Sequence, residues 1–193
     1  KCVRIDKYFL KFFIKEQNYE PFVQLVRDDY LKPLFAEAKL TSGSGDPEKW
    51  YSMLSAGAVN NLRERIDLDF PHDNKEFFGA NDPVRLKLAV KNVETLLVKA
   101  FAINTFNHYT RNLRPVDTAI NLDGLSATWE RIIKYKESPM LRSERNFDFP
   151  ELKKPGVYVV EFIGNGKSSR ALVTKGNLRI LEKVGPAGHE LRI

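Results

Sequence analysis

The run Gly166-Lys167-Ser168 is the first candidate for chemistry, because a lysine and a serine after a glycine can hold a nucleotide phosphate. The full phosphate-loop pattern also requires a glycine five residues before Gly166, and Glu161 stands there. A carboxylate would repel the phosphate, and the residues after Ser168 predict a strand where the loop needs a helix N-terminus. We therefore predict no nucleotide site here and no cofactor.

Three acidic residues, Asp67, Asp69 and Asp73, lie close together, as oxygen ligands of calcium would. An EF-hand loop would have Asp or Asn at its fifth position and Gly at its sixth, where this sequence has Pro71 and His72. The favoured interpretation is solvated acids that follow a helix. A looser calcium site is the alternative.

Histidine and cysteine chemistry has no clearer pattern. The histidines are far apart and form none of the short metal-binding motifs: His72, His108 and His189. No Gly-x-Ser-x-Gly turn presents a nucleophile, and Cys2, the single cysteine, has no identifiable base partner. An enzyme would require His108, Glu130 or Asp123 to converge in a pocket. We predict no catalytic residue, no metal ligand and no enzyme.

The chain is basic in its second part. Lysine and arginine number 31 against 25 acidic residues, and residues 1–83 hold 12 of the basic and 14 of the acidic side chains. The excess therefore falls in residues 84–193, which indicates a polyanion such as nucleic acid or an acidic glycan as one class of partner. Its plausible contacts are Lys153, Lys154, Lys167, Arg170 and Lys175. Because basic and acidic residues are mixed, a solvated face is favoured and nucleic acid is not expected.

Aromatic residues beside cations form one further candidate. Phe101, Phe106 and Tyr109 lie near Arg111 and Arg114, as in proteins that stack the bases of single-stranded nucleic acid. The signature of an RNA-recognition sheet is missing. Core packing is the simpler interpretation of these rings.

The elements that must position these residues change type along the chain. Through residues 1–46 apolar side chains recur at spacings of three and four, which predicts a helical segment. The Gly- and Ser-rich run 40–47 predicts that this segment ends in a linker. Short helices and a connection are expected over 47–82, the first capped by Asp46 with Pro47 at its first position.

From residue 83 the apolar period changes to two. Val84 to Val90 alternates with polar residues and Leu96 to Ile103 follows, so we expect these runs to pair as antiparallel strands. Six further runs predict strands: 119–122, 128–136, 142–147, 157–163, 170–174 and 178–183. Between two of them, Gly164-Asn165-Gly166 predicts a tight hairpin turn. The expected fold class is α+β, a helical N-terminal segment followed by an antiparallel fibronectin-like β-sandwich.

Three stretches carry a family resemblance. They are the run from Val84 through Asn104 and the strands Pro155-Gly156-Val157-Tyr158-Val159-Val160-Glu161 and Ser169-Arg170-Ala171-Leu172-Val173. Together they resemble a macroglobulin domain of the α2-macroglobulin-like superfamily. The resemblance implies a seven-stranded sandwich over 83–184, with 185–193 beginning a following segment, in a large secreted or cell-envelope protein. That family's thioester run, Gly-Cys-Gly-Glu-Gln, is absent, so covalent trapping is not expected of this chain.

These observations together give the functional expectation. The chain is expected to be a non-catalytic structural or protein-interaction module, a fragment of an α2-macroglobulin-like protein that contacts neighbouring domains or another protein. The alternative is a basic polyanion-binding domain. No apolar run approaches the roughly 18 residues that a bilayer crossing needs, and no signal-peptide pattern occurs at Lys1.

Overall fold

The computed structural model describes residues 3–177, 181–186 and 188–192, and it shows an N-terminal helical unit followed by two β-sheets and a hairpin. The helices are α1 (Val3–Phe13), α2 (Asp28–Ser42), α3 (Pro47–Tyr51), α4 (Ala56–Glu64) and α5 (Thr105–Asn112), with a 3-10 turn at Glu20–Phe22. The strands are β1 (Asp67–Asp69), β2 (Phe77–Phe78), β3 (Arg85–Lys91), β4 (Thr95–Ile103), β5 (Trp129–Lys134), β6 (Arg142–Asp148), β7 (Gly156–Gly164), β8 (Lys167–Lys175), β9 (Leu181–Gly185) and β10 (Gly188–Arg192).

The helical unit, formed by α1 to α4, has its own apolar core. Phe13, Leu31 and Phe35 are almost fully buried, and Trp50 packs edge-on against Phe35 with ring centroids 5.6 Å apart. Met140, from the connection between β5 and β6, packs in the same cluster. The helical unit is therefore joined to the sheets by shared apolar packing.

Part of the run 40–47, which was predicted as a linker, is helical. Helix α2 continues to Ser42 and ends at Gly43, whose φ of +68° is the left-handed conformation that favours glycine at a helix end. The Trp50 indole N–H donates to the Ser44 carbonyl oxygen at 2.7 Å. This bond holds the turn after α2 against helix α3. Glycine and serine form a helix end here, and composition alone does not distinguish such an end from a linker.

Side-chain caps start the two short helices that follow. The Asp46 carboxylate accepts the Glu48 backbone N–H at 3.1 Å, so the predicted cap of α3 is confirmed. The Ser55 hydroxyl accepts the Ala58 N–H at 3.2 Å and caps α4. After α4 the chain enters β1, so Asp67 belongs to a strand and not to a solvated turn.

The strands form a two-sheet sandwich. One sheet has the order β1-β3-β6, and the other has the order β2-β8-β7-β4-β5. Neighbouring strands run antiparallel except for β2 and β8, which are parallel. The predicted fold class, a helical segment followed by an antiparallel sandwich in an α+β chain, is confirmed.

The predicted pairing of β3 with β4 is wrong. β3 pairs with β1 and β6, whereas β4 pairs with β7 and β5 in the other sheet. The chain turns after β3 at Asn92, where φ is +55°, and crosses between the sheets. Leu88 and Leu96 are both fully buried in the shared core, so alternation alone could not separate a hairpin from a crossover.

The sandwich core lies between the two sheets, where inward-facing residues of each strand meet. Phe147 on β6 and Phe162 on β7 pack edge to face with ring centroids 5.0 Å apart. Val98 and Val160 on the larger sheet have almost no exposed surface. The two sheets are therefore held together by close apolar packing across their inner faces.

The hairpin between β7 and β8 is confirmed. Gly164 pairs with Lys167, which leaves Asn165 and Gly166 as a two-residue turn with φ of +46° and +77°. Positive φ at both positions is the geometry of the type I′ turn that matches strand twist. The Gly166-Lys167-Ser168 run is thus part of a hairpin.

The other strand predictions agree with the structure in part. Four predicted runs overlap strands β5 to β8: 128–136, 142–147, 157–163 and 170–174. The run 119–122 is a loop whose Ile120 and Leu122 pack against the outer face of the larger sheet without pairing. Residues 178–180 lie outside the described residues, and β9 begins at Leu181.

Side chains of β8 close one side of the sandwich. Lys167 Nζ donates to the Ile66 carbonyl oxygen at 2.9 Å, and the Ser169 hydroxyl donates to that of Leu68. Because β1 and β8 belong to different sheets, these bonds join the sheets at that side. The sheet structure therefore begins at Asp67, ahead of the boundary predicted at residue 83.

Lys91 links the sandwich to α4. Its side chain is 1% exposed, and Nζ donates to the carbonyl oxygens of Leu62 and of Arg65, the latter at 2.8 Å. These carbonyls lie at the C-terminal end of α4, where a cation is favoured. Burial, followed by the nearby Arg65 guanidinium, lowers the pKa of Lys91 to about 8.

Candidate protein-interaction surface

The connection of residues 104–128 between β4 and β5 contains α5. The Asn104 side chain accepts the Asn107 N–H at 2.9 Å and starts the helix. At the other end the Leu113 N–H donates to the Tyr109 carbonyl oxygen at 2.7 Å. No residue of α5 is buried, so the helix stands on the protein surface.

Three large apolar side chains form a ridge along α5. Phe106, Tyr109 and Leu113, here called the α5 ridge, are 74%, 56% and 79% exposed. Phe106 and Tyr109 lie three residues apart on one helix face, and Leu113 is the residue at which the helix ends. Core packing is the right interpretation of Phe101, which is 5% exposed, and the wrong one for Phe106 and Tyr109.

Leu113 combines two unfavourable features. Its φ of +53° lies in the left-handed region, which costs a residue other than glycine roughly 1–2 kcal/mol. Its side chain also remains in water, although helices that end this way usually place glycine there. Leu113 is thus strained and exposed, and its side chain gains no core packing in exchange. A residue with this combination is a candidate for binding.

Cations border the α5 ridge. Arg111 and Arg114 are exposed, and residues 104–116 contain no Asp or Glu. An exposed apolar ridge bordered by arginine has the composition found at the energetic centres of protein interfaces.

Two of the predicted polyanion contacts lie at the same end of the larger sheet as α5. Ile103, the last residue of β4, pairs with Val157 near the start of β7. Lys153 and Lys154 precede that start and are exposed, and the Lys154 carbonyl oxygen accepts the Tyr158 hydroxyl at 2.7 Å. We call these two lysines together with Arg111 and Arg114 the basic flank of the ridge.

In the other three predicted polyanion contacts, the charged group already bonds to another part of this protein. Lys167 binds the backbone before β1, and Arg170 pairs with Glu161 at 2.8 Å. Lys175 is 6% exposed and donates to the Asp82 carbonyl oxygen at 2.6 Å. A polyanion site that uses all five residues stays a prediction.

Arg170 also anchors the loop that follows α5. Its Nη1 donates to the Ile120 carbonyl oxygen at 2.9 Å while its Nε binds Glu161. Leu122 in the same loop is buried against Val159 and Phe101 on the outer face of the sheet. The α5 ridge therefore projects from a connection that is fixed to the sandwich.

The acidic residues considered as calcium ligands are engaged in ion pairs. Arg142 lies 3.4 Å from Asp67 and 3.5 Å from Asp69. Asp73 pairs with Lys87, and that hydrogen bond lowers the pKa of Asp73 below its usual range. Within residues 3–177, 181–186 and 188–192, no group of three or more His, Cys, Asp or Glu side chains is placed to hold a metal ion.

The residues considered for catalysis lie on separate elements. His108 on α5 contacts the Asn112 amide at 3.3 Å, Glu130 lies on β5, and Asp123 lies in the loop between them. Among the residues that the structure describes, no hydrogen bond or ion pair joins any two of these three. Cys2 lies outside the described residues.

A cavity of about 450 Å³ lies where α1, α2 and β1 meet. Its charged lining forms a network in which Arg65 pairs with Glu37 at 2.7 Å and with Asp67 at 3.2 Å. Arg142 extends the same network through Asp67. These ion pairs add polar contacts between the helical unit and the sandwich to the shared apolar packing around Met140.

The fold is an immunoglobulin-like sandwich with a helical unit ahead of it. Residues 96–176 match the family model of the AbpF first immunoglobulin-like domain. Residues 4–66 match the model of the actin-binding protein F N-terminal domain.

The chain is similar to Actin-binding protein F of Dictyostelium discoideum. The two are 42% identical over 186 residues, which is 95% of this chain and 8% of that protein. The chain therefore spans only a small part of the length of this relative.

The expected origin in an α2-macroglobulin-like protein is wrong, because the similarity to Actin-binding protein F overturns it. The solved structure of native α2-macroglobulin from Escherichia coli spanning domains MG0-NIE-MG1 covers 62% of this chain and 41% of its own. At 13% identity and a TM-score of 0.44, this likeness is too weak to support an inference. The three stretches behind the expectation contain strands β3, β4, β7 and β8, and such strands are typical of a sandwich without identifying a family.

None of the helices within the described ranges combines the length and the hydropathy that a bilayer crossing requires.

Proposed function

We propose that this chain binds actin filaments through the α5 ridge and its basic flank, as a binding protein without a catalytic step. The observation that carries the choice of partner is the 42% identity over 186 residues to a protein named for binding actin. The match of residues 4–66 to the N-terminal domain of that protein supports the same choice.

The choice of surface rests on the exposure of the ridge. Aromatic and arginine side chains supply most of the binding energy at protein interfaces, and Phe106, Tyr109 and Arg111 are exposed together on one short helix. Leu113 adds an apolar side chain that the fold holds in water at an energetic cost. Burial of these side chains against a filament would recover the apolar surface that folding leaves exposed.

Co-sedimentation of the 193-residue chain with actin filaments tests the proposal. The wild type should sediment with filaments, and Phe106→Ala combined with Tyr109→Ala should weaken binding by about tenfold or more. Leu25→Ala is the matched control because Leu25 is 83% exposed and lies in the helical unit, away from α5. This control should bind as the wild type does.

Two results would overturn the proposal. A wild-type chain that stays in the supernatant at saturating filament concentration does not bind actin. A chain that binds equally well with and without the two rings uses another surface. The basic flank adds a further readout, since binding should weaken as salt concentration rises.

A further inference from the structure

Strand β5 forms one edge of the five-stranded sheet, and no strand in the described part of the chain pairs with its outer side. Beyond its end, Tyr135 donates its N–H to the Glu94 carbonyl oxygen on the β4 side at 2.8 Å. Backbone groups of an antiparallel strand alternate between its two sides. The N–H and C=O groups of Lys134, Ile132 and Glu130 therefore point outward, away from β4.

The side chains of these three residues share one face of the strand, because side chains alternate with a period of two. All three are exposed, and Ile132 is 63% exposed. Among the residues that the structure describes, Glu130 and Lys134 have no ion-pair partner. The outer edge thus presents an acid, an apolar residue and a base in alternate positions, with their backbone groups available.

We propose that β5 pairs antiparallel with β5 of a second copy of this chain, about a two-fold axis at Ile132. In this register Ile132 lies opposite its own counterpart, and Glu130 lies opposite the second copy's Lys134. The ion pair occurs twice, once on each side of the axis. The outward N–H and C=O groups of all three residues then bond across the axis, as in any antiparallel ladder.

A second copy fits this edge because the charge order is complementary to itself under a two-fold rotation. Edge strands that resist pairing commonly carry proline, a bulge or charged side chains that a second strand leaves without partners. Residues 130–134 contain no proline, and their outward charges are of opposite sign around an apolar centre. Opposite charges across an antiparallel pair are favourable, whereas like charges are unfavourable.

Sedimentation analysis of the wild-type chain over a range of concentrations tests the pairing in the absence of actin, so its outcome is independent of the proposed function. We expect a reversible monomer–dimer equilibrium, weak because a single strand pair buries little surface. A wild type that remains monomeric up to about 1 mM would overturn the proposal.

Charge variants identify the register. Lys134→Glu places like charges opposite each other twice and should weaken the dimer by about tenfold. Lys136→Glu is the matched control, since it makes the same change of charge at an exposed residue just beyond β5 and should leave the dimer intact. Equal effects of the two variants would contradict the register.

A mixing experiment gives the sharpest test. Glu130→Lys alone and Lys134→Glu alone should each be mainly monomeric. An equimolar mixture should form a heterodimer, because lysines at both positions of one chain then face glutamates at both positions of the other. Circular dichroism checks that each variant is folded, and folded variants that stay monomeric when mixed would overturn the proposal.

Discussion

Leu113→Gly separates the stability of the protein from binding by the α5 ridge. Glycine removes the strain of a φ of +53°, a gain of roughly 1–2 kcal/mol, and its greater freedom in the unfolded chain costs about 0.5–1 kcal/mol. The lost side chain is 79% exposed and therefore contributes little buried surface. We expect the free energy of unfolding to rise by about 0.5 kcal/mol, opposite in sign to most substitutions.

Leu113→Ala is the control for this substitution. Alanine removes most of the same apolar group and keeps a side chain at the left-handed position, so its free energy of unfolding should be about 0.5 kcal/mol lower than that of the glycine variant. Denaturant unfolding of the two variants under identical conditions measures this difference. Filament co-sedimentation should show weaker binding for both, because both lose the same anchor of the ridge.

Different results would contradict the expected stability and the expected binding. A glycine variant that is less stable than the alanine variant would show that residue 113 is not held in the left-handed conformation. Wild-type affinity for actin filaments in both variants would remove Leu113 from the contact.

Three further substitutions test the interior of the protein. Native Lys91 loses its proton at about pH 8, whereas the unfolded chain keeps it to a higher pH. Between pH 8 and 10 the free energy of unfolding of the wild type should therefore rise, relative to that of Lys91→Met, by on the order of 1 kcal/mol per pH unit. Urea unfolding at both pH values measures this, and a constant difference would contradict it. Gly164→Ala puts a Cβ 2.5 Å from Val93 Cγ1 and should destabilise the protein by about 1–3 kcal/mol. Adding Val93→Ala removes the clashing methyl groups and should restore part of the lost stability. If stability is not restored, the clash lies elsewhere. Arg170→Ala leaves the Glu161 carboxylate without its partner and should lower the free energy of unfolding by about 2–4 kcal/mol. It should also speed amide hydrogen exchange in residues 117–122, because the bond to the Ile120 carbonyl oxygen is lost. Unchanged exchange would mean that other contacts anchor this loop.

Features set by a few neighbouring residues were predictable from the sequence. Asn165 and Gly166 turn the β7–β8 hairpin because both residues tolerate positive φ, and this preference acts locally. Asp46 caps α3 for a similarly local reason. The alternating pattern likewise located most strands of the sandwich.

Features that depend on distant partners were not predictable. β3 and β4 alternate in the same way whether they pair with each other or face each other across the core, and only the positions of β6 and β7 decide between these arrangements. Phe106 and Tyr109 have the spacing of a buried helix face, yet no element in the described part of the chain buries them. Exposure of an apolar ridge depends on the absence of a covering element, which no local pattern records.

The hydrogen bonds from Lys167 and Ser169 occupy the carbonyl oxygens of Ile66 and Leu68 beside β1. A strand from a second molecule would have to displace these side chains before it could bond to the same oxygens. Strand addition therefore meets more resistance beside β1 than at β5, whose outer side has no pairing strand in the described part of the chain.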